Sequence, residues 1–172
     1  MTKLDGTDLR VRDVRPTDTE QVIEIINPII EAGVHTAFDT PFTVEQERRY
    51  IEALPERGIF LVAEEPNDGR LVGFQSMEPC ADYTRAFDHV GTMGTYVRLS
   101  LRRRGIARAL FAATFEQARD KAYEKIFTFI RADNPDALQT YLDQGFTVVG
   151  TAKLHAKVRG SYIDEVLIEK LL

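Results

Sequence analysis

Two stretches of this chain have residue types and spacings that can do chemistry. The first is Tyr96-Val97-Arg98-Leu99-Ser100-Leu101-Arg102-Arg103-Arg104-Gly105-Ile106-Ala107, where a strand pattern ends, a basic turn follows and a helix pattern begins. Backbone N–H groups at a helix start are unpaired and sit at the positive end of the dipole, so they bind phosphate well. Gly105 and the small Ala107 would let a diphosphate come close to the backbone. Arg102, Arg103 and Arg104 add attraction for a polyanion. Taken alone, the stretch reads equally well as a solvated basic turn. It is not a P-loop, since no Gly-x-x-x-x-Gly-Lys-Ser/Thr occurs, and its single glycine does not make a dinucleotide fingerprint. The second stretch runs from Asn134 to Phe146. Asn134 before Pro135 is helix N-cap chemistry. Tyr141 shares a helix face with Leu138 and Leu142, so by itself it reads as a core tyrosine.

Other reactive residues carry less. Cys80 has no histidine placed as a partner for nucleophilic work. Three histidines and one cysteine show no metal-ligand spacing.

The elements that must position these groups follow from periodicity. Leu9 to Val14 alternates as an opening strand. After Pro16, Thr17 and Asp18, the residues Val22, Ile23, Ile25, Ile26, Ile29 and Ile30 recur at helical spacing, with Asn27-Pro28 expected to interrupt or bend that helix. Residues 33–42 read as a loop, and Thr43-Val44-Glu45-Gln46 opens a second helix with a capping box. Ile59–Ala63 and Leu71–Met77 form a hairpin around Pro66-Asn67-Asp68-Gly69. A strand follows near His89–Leu99. A helix over Gly105–Ala122 has Ile106, Ala109, Leu110, Ala113, Phe115 and Ala118 on its apolar positions. Then come a strand at Ile126–Ile130, a helix at Pro135–Gln144, and strands at Phe146–Val149 and Tyr162–Leu171. This order predicts an α/β (α+β) layered fold, with helices on both faces of one mixed sheet.

The bulk properties bound the rest. The chain has 172 residues, of which 44% are hydrophobic and 28% charged, as expected for one soluble domain spanning residues 1–172. No apolar run approaches the roughly 18 residues of a membrane span, and Met1 to Gly6 lacks the form of a secretory signal. The lone cysteine fits a reducing cytoplasm. A net charge of -5 argues against a nucleic-acid partner.

Arg102-x-x-Gly105-x-Ala107 resembles the Arg/Gln-x-x-Gly-x-Gly/Ala signature of the GCN5-related N-acetyltransferase (GNAT) superfamily. The Asn134 to Phe146 stretch is similar to its second motif, Asn-x-x-Ala-x-x-x-Tyr-x-x-x-Gly-Phe, at every keyed position. The element order matches too, so the resemblance covers nearly the whole chain. It implies a mostly antiparallel sheet of seven strands, splayed between the fourth and fifth, with pantetheine lying in the opening. Acetyl-CoA would be the acetyl donor, with no metal. Tyr96, Val97 and Arg98 would offer backbone groups to the pantetheine. The amides of Arg103, Arg104, Gly105, Ile106 and Ala107, following Arg102, would hold the pyrophosphate with Arg108 at its edge. Asn134 would bond to the pantetheine arm, and Tyr141 would protonate the departing thiolate. The acceptor amine would attack the thioester directly.

The N-terminal half resembles the phosphinothricin and L-amino-acid acetyltransferase branch, through Ile26-Asn27-Pro28, Thr36-Ala37-Phe38-Asp39-Thr40-Pro41, Glu45–Ile51 and Tyr83–Phe87. This implies a small-molecule primary amine as acceptor. A protein or peptide amine and a non-catalytic acyl-CoA-binding module are the alternatives. That branch often carries a glutamate four residues before Tyr96, where this chain has Thr92, which cannot act as a base. Glu31, His35, Asp39, Glu78, His89 and a bound water are the remaining candidates. Relatives are often dimers, and Phe38, Phe42 and Phe87 would line either a pocket or a subunit contact.

Overall fold

A computed structural model describes residues 9–172. The N-terminal stretch read above as lacking a secretory signal lies outside the described residues. The elements are β1 (Arg10–Asp13), α1 (Thr19–Ala32), α2 (Val44–Glu52), β2 (Ile59–Glu64), β3 (Leu71–Pro79), β4 (Val90–Val97), α3 (Ile106–Asp120), β5 (Lys125–Arg131), α4 (Pro135–Leu142), β6 (Thr147–Val158) and β7 (Ser161–Leu171). They build one seven-stranded sheet in the order β1-β2-β3-β4-β5-β7-β6. All neighbours are antiparallel except β4 and β5.

Helices cover both faces, and β2 shows why. Its alternate residues Ile59, Leu61 and Ala63 join the cluster under α3, with Leu110, Phe111 and Ile126. Phe60 and Val62 point the other way, into the cluster formed with Val22, Ile26 and Ile30 of α1. A strand buried on both faces is apolar throughout, as Ile59–Ala63 is.

α1 does not stop at Pro28. It runs unbroken from Thr19 to Ala32 with the proline inside. Four isoleucines of this helix are buried, and at about 1.5–3 kcal/mol each that outweighs one lost backbone bond. Asn27 beside it clamps the following loop: its amide donates to Phe42 O and its oxygen accepts from Phe42 N–H, both at 2.9 Å. α2 starts as expected, with a capping box between Thr43 and Gln46. In α3 the fully buried positions include Phe111 and Thr114, and the alanines 109 and 113 lie at the margin. β6 is much longer than expected, continuing through two register shifts to Val158.

The feature that positions the site is the β4–β5 junction. The two strands pair only at Val90↔Lys125 and Gly91↔Ile126, whereas β3 follows β4 from Pro79↔Gly91 to Gly73↔Val97. Beyond Gly91 the β5-facing edge of β4 is open, bridged by Thr128 Oγ1 donating to Met93 O at 2.8 Å.

Candidate active site

At the open end of β4 the chain makes one 3-10 turn, Leu99–Leu101, and enters the basic turn. Arg103 and Gly105 both take positive φ, 62° and 79°. Such φ is natural for glycine, whereas on a residue with a Cβ it costs roughly 1–2 kcal/mol. Gly105 is the N-cap of α3 and offers no capping side chain. The first helical bond is Ala109 N–H to Gly105 O at 3.1 Å. The N–H groups of Arg103 through Arg108 therefore have no partner among the described residues. Nor do Arg102, Arg103, Arg104 and Arg108 pair with any carboxylate among those residues. A row of orphan amides beside four arginines that pair with no carboxylate among the described residues has the donors and charge to hold an anion.

Of the strand residues expected to serve pantetheine, the geometry separates one from two. Arg98 N–H donates to Val72 O at 3.0 Å and Arg98 O accepts from Leu101 N–H. Antiparallel ladders alternate, so the backbone of Tyr96 also faces β3, and Thr95 and Val97 turn theirs to the open edge, as Met93 does where Thr128 meets it. The Arg98 side chain is committed as well, with Nε to Leu71 O at 2.7 Å and the other end to Glu24 at 3.0 Å.

Tyr141 is buried against Phe111 and Phe146, with centroids at 4.9 Å and 5.1 Å. Its hydroxyl lies 2.9 Å from Thr95 Oγ1, which in turn accepts from Gln75 Nε2 at 2.6 Å. With the Gln75 amide donating to it, Thr95 can spend its one proton on the Tyr141 oxygen, leaving the phenolic proton free. Burial raises the Tyr141 pKa, with Tyr96 adding to it and Thr95 opposing, so the phenol stays protonated. Asn134 caps α4 through Ala137 N–H at 3.2 Å, and its amide donates to His35 O at 3.2 Å.

Asn134, Arg131 and Arg102 fasten the loop after α1 across the opening, and Arg159 holds the end of α1. Arg131 Nη1 donates to Gly33 O and Thr36 O at 2.9 Å and 3.1 Å. Arg102 reaches His35 Nε2 at 3.2 Å, and Arg159 ties down Ile30 O and Glu31 O. Burial, Arg102 and Arg131 lower the His35 pKa, so the ring is neutral.

Across the sheet from Tyr141, the register places Phe74, Ser76 and Glu78 opposite Tyr96, Gly94 and Thr92 on one face. A Cβ at Gly94 would lie 2.9–3.2 Å from the Tyr96 ring and hydroxyl, so any larger residue there would push that ring aside. A row of rings, Phe38, Tyr96, Phe74, Phe60 and Tyr50, lines this face. Among the base candidates, Glu31, Asp39 and His89 are exposed. Glu78 faces Thr92 across the strands and accepts from the Tyr50 hydroxyl. Sequence reasoning missed Glu47. It is only 6% exposed, and burial pushes its carboxyl up to about 7. The available signal was its place four residues before Ile51, on the inward face of α2. A cavity of about 400 Å³ lies elsewhere, between Ile51, Leu54, Phe60, Gln117 and Lys121. The amine of Lys121 and the amide of Gln117 are already bonded to Glu56 O, Gly58 O and Asp13, so no free reactive group converges there.

Residues 22–146 match the model of the acetyltransferase (GNAT) family. The chain belongs to that family, the class of acetyl-CoA-dependent N-acetyltransferases. A ribosomal-protein-alanine N-acetyltransferase from Brucella melitensis superposes with TM-score 0.85 at 26% identity, over 95% of this chain and 99% of that one. A GNAT superfamily phosphinothricin acetyltransferase from Sinorhizobium meliloti in complex with AcCoA gives 0.87 at 19% identity, over 96% and 89%. A GCN5-related N-acetyltransferase from Kribbella flavida gives 0.83 at 24%, over 97% and 99%. No curated protein sequence matches the chain. Among the described residues no helix is long and apolar enough to cross a membrane, and no group of three or more His, Cys, Asp or Glu is placed to hold a metal.

Proposed function

We propose that this enzyme transfers the acetyl group of acetyl-CoA directly to the primary amine of a small molecule, an amino acid or a phosphinothricin-like compound. The observation that carries the donor half is the row of orphan amides from Arg103 to Arg108, ringed by arginines. The pyrophosphate sits on those amides, with Arg102 and Arg108 at its rim. Pantetheine lies along the open edge of β4 and bonds to the backbone of Val97 and Thr95, while Tyr96 and Arg98 hold that edge in place. Asn134 reaches the pantetheine arm by exchanging its bond to His35 O. Tyr141 gives its proton to the departing sulfur.

The small-molecule acceptor is favoured by the tethered loop. Arg131, Asn134 and Arg102 hold residues 33–36 across the opening, which supports a bounded acceptor site over a groove for a chain. The likeness to an enzyme named for a ribosomal-protein alanine supports a peptide amine as the second reading. A cytoplasmic location fits the exposed, unpaired Cys80. A homodimer would use the exposed Phe129, Val148, Val149 and Leu154. Phe38 and Phe42 belong to the acceptor side, where their rings meet at 5.1 Å.

Acetyl-CoA at about 100 times its Kd should raise stability by about 2.7 kcal/mol, read as an upward shift in Tm. No shift would refute the donor site. A thiol-release screen over amino acids, polyamines, phosphinothricin-like compounds and alanine-terminal peptides then separates the two acceptor readings. Thr95→Val keeps the shape but removes the hydroxyl that orients Tyr141. We expect kcat to fall about 10-fold with acetyl-CoA affinity unchanged, a loss of about 1.4 kcal/mol. An unaltered kcat would exclude the relay.

A further inference from the structure

We infer that Glu47 is the proton acceptor for the substrate ammonium, a base supplied by α2 in place of the β4 residue at position 92. This rests on the acetyl-transfer reading above and goes beyond it, since it assigns the acceptor half of the reaction to a residue.

Thr95 and Tyr96 are neighbours in β4, so their side chains leave the strand on opposite faces. Thr95 carries the Tyr141 hydroxyl on one face. Tyr96 belongs to the other, where its hydroxyl lies near Thr36 and feels the negative field of Glu47. A thioester lying along the open edge of β4 is thus flanked by an acid on one side and a carboxylate on the other. An amine can approach the carbonyl carbon from the Glu47 side while sulfur departs toward Tyr141.

The surroundings of Glu47 suit the task. Only 6% of the residue is exposed, and its carboxylate has no hydrogen bond and no cation among the described residues. A largely buried carboxylate without a partner takes up a proton more readily than an exposed one, which is what a base must do. The titratable groups facing it are Tyr50 of α2 and Tyr96 of β4, and its field helps hold both phenols protonated. Neither is a cation, so neither lowers its proton affinity. Burial alone sets that affinity, at about 7, where a base can take a proton and release it again. Rival carboxylates are engaged. Glu78 holds the Tyr50 hydroxyl, and Glu165 sits opposite Arg131 in the sheet with His155 at 3.8 Å. The ring row of Phe38, Tyr96 and Phe74 adds aromatic faces that favour a cation arriving beside Glu47.

The proton balance is complete. The ammonium gives one proton to the Glu47 carboxylate, which later returns it to solvent. The free amine attacks the carbonyl carbon, and the C–N bond forms as the C–S bond breaks. Sulfur takes the phenolic proton of Tyr141. The second nitrogen proton, shed as the amide forms, restores Tyr141 through solvent.

The test follows thiol release across pH for the parent, Glu47→Gln and Glu78→Gln, with acetyl-CoA binding read separately by thermal shift. The base works when ionised, so parent kcat/KM should rise through about pH 7. Glu47→Gln should bind acetyl-CoA like the parent, lose about 100-fold in kcat at neutral pH, and shift its rise toward the ammonium's own range near about 10. Glu78→Gln should keep the parent's rise. A Glu47→Gln enzyme with the parent's rate, or with a lower rate but the same rise, overturns the assignment. So does a Glu78→Gln enzyme that has lost the rise. A parent that binds acetyl-CoA yet releases thiol with no amine overturns the acceptor reading and this inference together.

Discussion

Tyr141→Phe should lower kcat about 100-fold and leave acetyl-CoA affinity within about twofold. The substitution deletes one oxygen and keeps the ring, so the edge-on contacts with Phe111 and Phe146 persist. Thr95 Oγ1 still accepts from Gln75 but loses the acceptor for its own proton, a stability cost of about 1–3 kcal/mol. What vanishes is the hydroxyl bonded to Thr95 Oγ1. Sulfur must then leave as a bare thiolate in an apolar surround, where an anion is poorly stabilised. The direction of the Tyr141 shift adds a pH signature. Burial holds the phenol protonated throughout the neutral range, so its ionisation sets no limit on rate until strongly alkaline pH. Single-turnover thiol release isolates the chemical step, and equal rates for variant and parent would remove the acid role.

Gly105→Glu should weaken acetyl-CoA binding by at least about 100-fold. Two causes act together, and a second variant separates them. Any Cβ at φ 79° strains the N-cap of α3, at roughly 1–2 kcal/mol, or several degrees in Tm. A carboxylate at the focus of the orphan amides also repels the pyrophosphate and takes up the positive end of the helix dipole in its place. Gly105→Asn carries a side chain that tolerates left-handed backbone and has no charge. It should keep most of the Tm and lose much less affinity. Calorimetric titration with acetyl-CoA reads the difference, and unchanged affinity in Gly105→Glu would place the pyrophosphate elsewhere.

Much of this architecture is local, which is why it could be read from residue order. The capping box at Thr43 and Gln46, the Asn134 cap before Pro135 and the left-handed Gly105 are properties of a few adjacent residues. The strand and helix periods depend only on which face is apolar. Pro28 shows the limit of such reasoning. Its local preference is to break α1, but burial of Ile25, Ile26, Ile29 and Ile30 prevails, and burial is set by what packs from afar. The length of β6 escaped for a related reason. Its exposed residues carry no burial period, and β7 alone holds them in register.

The amide turn at Arg103–Ala107 was thus determined by the sequence, because a helix start leaves its own N–H groups free wherever it lies in a fold. Its partners were not. Which backbone groups of β4 face the opening depends on the ladder with β3, which takes those of Tyr96 and Arg98 and leaves those of Thr95 and Val97. The Tyr141–Thr95–Gln75 chain joins three elements across the core. Glu47 sits in the charged run Glu45-Gln46-Glu47-Arg48-Arg49, which looks like a solvated helix face. Only the packing of α2 over the sheet buries that one carboxylate and raises its proton affinity. Desolvation is a property of everything around a group, so no reading of neighbours in the chain could have assigned it.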